Sequence, residues 1–240
     1  MDKLNLDHHI SQRFNQELEE ARKNLMQMGG IVEQQVRDAI KSIVDGDSEL
    51  AEKVIQADKR VNKMEVKIDE ECANIIARRH PAASDLRFVL AVTKSVNDLE
   101  RMGDEATKIA RMALELSGND SGTGPTKGFI EMRHIGEQVA KMVMEALDSF
   151  ARLESTTALG VLKADKDVDL EYTTAIRTLI TYMMEDGRTI SRVMNIVWAL
   201  RSLERIGDHS RNIAEHVIYL VEGEDMRHQK IEKIEDKIQG

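Results

Sequence analysis

Four pairs of oxygen-bearing side chains in this 240-residue chain share a four-residue spacing: Asp58 and Asn62, Glu100 and Asp104, Asp165 and Asp169, Glu204 and Asp208. Two of the pairs lie in a repeated hexapeptide. Leu99-Glu100-Arg101-Met102-Gly103-Asp104 returns as Leu203-Glu204-Arg205-Ile206-Gly207-Asp208, each followed four residues later by Ile-Ala, at Ile109-Ala110 and Ile213-Ala214. Residues four apart share one helix face, with about 5–6 Å between Cβ atoms, and like charges so placed destabilise a bare helix. Protonation, a Lys or Arg partner, or a bound cation relieves the repulsion. An all-oxygen ligand set favours Mg, Mn, Ca or ferric-type iron over zinc or copper. Lys59, Lys166, Arg101 and Arg205 are duplicated as well, so ion pairing stands beside metal binding as a reading of the same residues.

Long helices are needed to carry these pairs, and the composition favours them. Only two prolines and 3% aromatic residues accompany 41% hydrophobic residues, and Met, Leu, Ile, Val and Ala do the packing. Apolar positions at three- and four-residue intervals predict six helices, over about 7–44, 48–78, 84–117, 128–152, 155–184 and 189–222. Asp47 or Ser48 is a ready N-cap for the second helix, and His80-Pro81 ends it, since proline disfavours a helical residue before it. Along the third helix the seam Val89, Val92, Val96, Leu99, Gly103, Ala106, Ala110, Ala113 is regular enough for coiled-coil packing.

The plan occurs twice. Shifting residues 36–61 by 107 gives ten identities in 26 pairs, and shifting 89–110 by 104 gives eight in 22. The predicted fold is therefore all-α: two tandem pseudo-symmetric three-helix bundles built from six long helices. Residues 1–117 form the first bundle, 118–127 a Gly/Ser/Pro-rich linker loop, 128–222 the second bundle, and 223–240 a charged C-terminal tail with one or two loose helical turns.

In an antiparallel hairpin, residues at one level have numbers with a constant sum. That sum is 162 for both Asp58/Asp104 and Asn62/Glu100, and 373 for both Asp165/Asp208 and Asp169/Glu204. Each half should gather four oxygen-bearing side chains at one level of two adjacent helices, one residue past the seam and so on its rim. Asn62 lowers the charge of the first cluster by one, which predicts weaker cation binding there. Gly103 and Gly207 lie on the seam, and Gly29 and Gly136 are related by the 107 shift. An interior glycine costs a helix about 1 kcal/mol against Ala, so close helix packing is its first explanation.

Other chemistry is sparse. Cys72 reads as a small buried hydrophobe, and a single cysteine allows no intrachain disulfide. Glu131-x-x-His134 fits one element of a di-iron bundle, but such sites use two. The remaining histidines, including His209 and His216, have no repeated partner and suit surface or capping roles. No phosphate loop, nucleophile elbow or Cys/His pair is present, so no enzyme is expected. A net charge of −9 argues against nucleic-acid binding. The start of the chain lacks the layout of a signal peptide, and no apolar run approaches the roughly 20 residues of a membrane span. A cytoplasmic location is expected.

The Leu-Glu-Arg-x-Gly-Asp repeats, with the preceding Asp58-Lys59-x-Val61-Asn62 and Asp165-Lys166-x-Val168-Asp169, resemble the PhoU family. The likeness runs over essentially the whole chain. It includes His9-Ile10-Ser11-x-x-Phe14-Asn15, Pro81-x-x-x-Asp85-Leu86-Arg87 and Tyr182-Met183-Met184-Glu185-Asp186. The resemblance implies a cytoplasmic negative regulator of the phosphate-starvation response and modulator of phosphate uptake. Its partners would be the phosphate transporter's ATPase subunit and the sensor histidine kinase of the phosphate regulon, with membrane association only through them and a homodimer as its assembly. It also implies metal ions, which the oxygen donors would restrict to Mg, Mn, Fe or Ca, on Asp58, Asn62, Glu100 and Asp104 in one half and on Asp165, Asp169, Glu204 and Asp208 in the other. A metal-dependent enzyme or metal store of the carboxylate-bundle type is the alternative. It would require histidines at the clusters or a buried cavity.

Overall fold

A computed structural model describes residues 12–81, 83–118, 128–227 and 229–239. The helices are α1 (Gln12–Asp45), α2 (Ser48–Arg79), α3 (Ala83–Gly118), α4 (Phe129–Arg152), α5 (Ser155–Glu185), α6 (Ile190–Glu222) and a short α7 (Ile231–Gln239), with a 3-10 turn at Gly187–Thr189 before α6. Among the described residues there is no strand. The expected start of the first helix before residue 12, His8, His9, His228 and nearly all of the 118–127 linker lie outside the described residues; Gly118 ends α3.

The turn chemistry follows the sequence. Asp47 caps α2, its carboxylate accepting from Leu50 N at 2.9 Å. His80, in the left-handed region at φ 49°, closes α2 ahead of Pro81. The duplication reaches small details: the Ser42 hydroxyl donates to Ala39 O and the Ser149 hydroxyl to Ala146 O, 107 residues apart, at 2.8 and 2.7 Å.

Each bundle packs its three helices around a Leu/Ile/Val/Met/Ala core, and the two cores are continuous. Helices α3 and α6 join the bundles along one side, and α1 and α4 along the other. Gly29 and Gly136 belong to this second junction. A Cβ on Gly29 would stand 2.5 Å from Leu147 Cδ2 of α4, and one on Gly136 would stand 2.7 Å from Ile40 Cγ2 of α1. These glycines let the bundles close on each other, a role beyond packing within one bundle. Gly103 is also tight, with Gln35 Oε1 3.3 Å from its added Cβ. At Gly207 the nearest atom is 3.7 Å away, ordinary contact, so close packing does not explain both glycines of the hexapeptide.

The C-terminal stretch differs from the charged tail expected of it. Met226, Ile231 and Ile234 are buried, and α7 lies against α5. Apolar residues three apart give α7 a face to dock, and the charged residues between them hid that face in the sequence.

Candidate functional site

Helices α2 and α3 carry the first acidic cluster. Asn62 donates to Asp58 Oδ2 at 3.3 Å across one turn of α2. The Glu100 carboxyl is pushed up by partial burial and then by Asp104, Glu65 and Asp58, against a smaller opposing effect of Arg101. Asp58 Oδ1 of α2 lies 3.4 Å from the Cβ position of Gly103, the neighbour of Asp104 on α3. Glu65, one turn beyond the expected set, is pushed up by burial, Asp69 and Asp104. The one cation on this cluster among the described ion pairs is Arg101, 3.6 Å from its neighbour Glu100 and half exposed.

Helices α5 and α6 carry the second. Asp165 departs from the expected rim: it is 2% exposed, and burial pushes its carboxyl up to about 6 although Arg211 Nη1 donates to Oδ2 at 3.0 Å. Glu204 is pushed up by burial and Asp208, while Arg201 Nη1 donates to its Oε1 at 2.7 Å. The counter-ions here are Arg201 and Arg211, whose equivalents in the first half are Asn97 and Thr107. The duplicated cations point elsewhere: Arg205 pairs with Glu105 of α3 at 3.0 Å, and Lys166 stands 4.0 Å from Glu232 of α7.

The donors of both clusters are oxygens, the kind that a hard cation takes. Asp58 Oδ1 and Glu204 Oε2 are buried without a hydrogen-bond partner among the described residues, one in each cluster. Such acceptors are costly to leave unmet. No group of three or more His, Cys, Asp or Glu among the described residues stands closed around one point, so ligation requires rotation of these side chains. A cavity of about 370 Å³ lies elsewhere, between α1 and α4, lined by Arg37, Ile40, Lys41 and Arg133 among others and by none of the eight candidate ligands.

Sequence reasoning missed a buried polar cluster where α3 meets α6. Asp98 is 8% exposed, with His209 Nδ1 2.9 Å and Asn212 Nδ2 3.0 Å from Oδ1 and His216 Nε2 3.0 Å from Oδ2. Burial alone would raise the Asp98 carboxyl, but hydrogen bonds from His209, His216 and Asn212 overcome it and hold the group at about 2. An ionised carboxylate only accepts, so both imidazoles donate to it. The expected surface or capping roles of His209 and His216 are therefore corrected. The available signal was their spacing, since residues 209, 212 and 216 fall on one face of α6. Elsewhere, His134 pairs on the surface with Glu171 at 3.2 Å, and Cys72 is buried as expected.

The PhoU domain model matches residues 25–113 and again 132–217. A Pseudomonas aeruginosa protein described as a phosphate-specific transport system accessory protein PhoU homolog is 57% identical over 100% of this chain and 98% of its own length. The Escherichia coli phosphate-specific transport system accessory protein PhoU is 47% identical over 95% of this chain and 93% of its own. The crystal structure of PhoU from Pseudomonas aeruginosa superposes with a TM-score of 0.85 at 59% identity, over 88% of this chain and all of that one. The regulatory protein PhoU of the Streptococcus pneumoniae phosphate transport system gives 0.79 at 29% identity, over 88% of this chain and 98% of that one. Two matches to one domain, set 104–107 residues apart like the acidic clusters, and a common fold at this identity make the chain a member of the PhoU family.

Proposed function

We propose that this chain is a non-catalytic regulator of phosphate transport. It restrains phosphate uptake and the phosphate-starvation response by linking the transporter's ATPase subunit to a sensor histidine kinase in the cytoplasm. The observation that carries this reading is end-to-end similarity to relatives named as accessory proteins of phosphate-specific transport. An adaptor also needs surface for partners. Large apolar side chains stand exposed on α5 and α6, among them Leu170, Met184 and Trp198. No described helix is long and apolar enough to cross a membrane, which agrees with membrane association through partners.

In this reading the acidic clusters hold hard cations (Mg, Mn, Ca or Fe) that offset the burial and, after it, the mutual repulsion that raise the carboxyls of Glu100, Asp165 and Glu204. The enzyme alternative is less supported, because the histidine next to Asp208, His209, is committed to Asp98. A pull-down from lysate with the tagged chain, with and without phosphate, tests the adaptor role. Co-purification of the transporter ATPase and the sensor kinase is expected. Recovery of neither in both conditions contradicts it.

A further inference from the structure

Gln35 of α1 is 2% exposed, and its amide has a forced orientation. The nitrogen donates to Val54 O at 3.2 Å and to Gly103 O and Thr107 Oγ1 at 3.4 Å each. Two of these are backbone carbonyls, which only accept, so the nitrogen end must face them. Oε1 is thereby turned toward Gly103, where it is buried and has no partner among the described residues. Asp58 Oδ1 shares that condition. The two oxygens lie 3.3 and 3.4 Å from the position a Cβ on Gly103 would occupy. Two buried acceptors without hydrogen-bond partners among the described residues thus converge on the one spot that a side chain at Gly103 would fill.

The second half does not repeat this. A methionine, Met142, stands where the 107 shift places Gln35, with its Cε 3.7 Å from the Cβ position of Gly207. Asp165, the counterpart of Asp58, already accepts from Arg211. We propose that Gln35 Oε1 is an additional ligand, beside Asp58, for a hard divalent cation held by the first acidic cluster, a ligand that the second cluster lacks. An amide oxygen is a neutral hard donor suited to Mg or Mn. The inference rests on the reading of the acidic clusters as cation sites. It makes the first site the tighter of the two, the reverse of the order expected from Asn62.

Titration of the metal-free full chain with MnCl2, following free Mn by electron paramagnetic resonance, tests it. The wild type is expected to show two classes of site. Gln35→Met, which installs the residue of the second half, should weaken the tighter class at least tenfold and leave its thermal midpoint in EDTA unchanged or higher. Glu204→Ala should remove the weaker class only. If Gln35→Met does not fold, Gln35→Asn withdraws the same oxygen and should give the same loss. Wild type that binds no Mn overturns the cluster reading and this inference with it. Unchanged tight binding without Oε1 overturns this inference alone and assigns the spot beside Gly103 to water.

Discussion

Asp98 draws three donors from α6 into the junction between the bundles, which makes it the polar residue whose loss should be felt most. Asp98→Ala leaves buried imidazole and amide donors unmet and is expected to cost about 3 kcal/mol in urea denaturation. The same carboxyl sets an acid limb. Its folded value of about 2 lies below the ordinary 3.8, so its contribution is present above pH 4 and is lost as pH falls toward 2. The shift corresponds to about 2 kcal/mol. Wild type should lose that much more stability over this interval than Asp98→Ala, and parallel curves would contradict it. At the acidic clusters the four-residue pairs and their levels were legible from spacing alone. The charge balance was not, because it depends on unrepeated residues. Glu65 adds a carboxylate to the first cluster, while Arg201 and Arg211 add cations to the second. Asn62 points to a weaker first site when the repeat is taken alone, because these neighbours have no mark in it.

Among the elements, α1 and α4 show how two adjacent glycines can carry opposite weights. Nothing lies within 4 Å of a Cβ on Gly30, whereas one on Gly29 meets Leu147 at 2.5 Å. Gly30→Ala should therefore stabilise the protein by about 1 kcal/mol through helix propensity. Gly29→Val should destabilise it by about 2 kcal/mol by overpacking the bundle junction. Urea midpoints of the two variants decide the matter, and equal signs would refute the junction role. Helix α7 offers a second check. Ile234→Ala should free residues 231–239 for amide exchange while leaving α1 to α6 protected, since Ile234 is 2% exposed on a helix that docks mainly on α5. Six long helices were readable from apolar periodicity. The seventh was readable only as a loose turn or two, and its docking was not, because nine residues give too few turns for the apolar face to stand out among charges.

At the scale of the molecule, duplication explains both what the sequence disclosed and what it withheld. Repeated residues announce each bundle, since identical local packing demands identical side chains. The junction between bundles is built by residues that meet across the pseudo-symmetry, such as Asp98 with His216 and Glu105 with Arg205. Gly29, Gly136 and Arg205 do carry the mark of the repeat, but the partners of these polar residues differ between halves, so the repeat does not disclose the contacts. In the proposed regulatory role, cations on the acidic clusters would set the charge of bundles whose surfaces meet transporter and kinase. Its most direct test is a phosphate-starvation reporter in phosphate-rich medium, in cells lacking this protein and complemented with wild type or with Glu100→Ala/Glu204→Ala. The account predicts high reporter activity in the deletion strain, repression by wild type, and failed repression by the folded double variant. A deletion strain that keeps the reporter silent would contradict it.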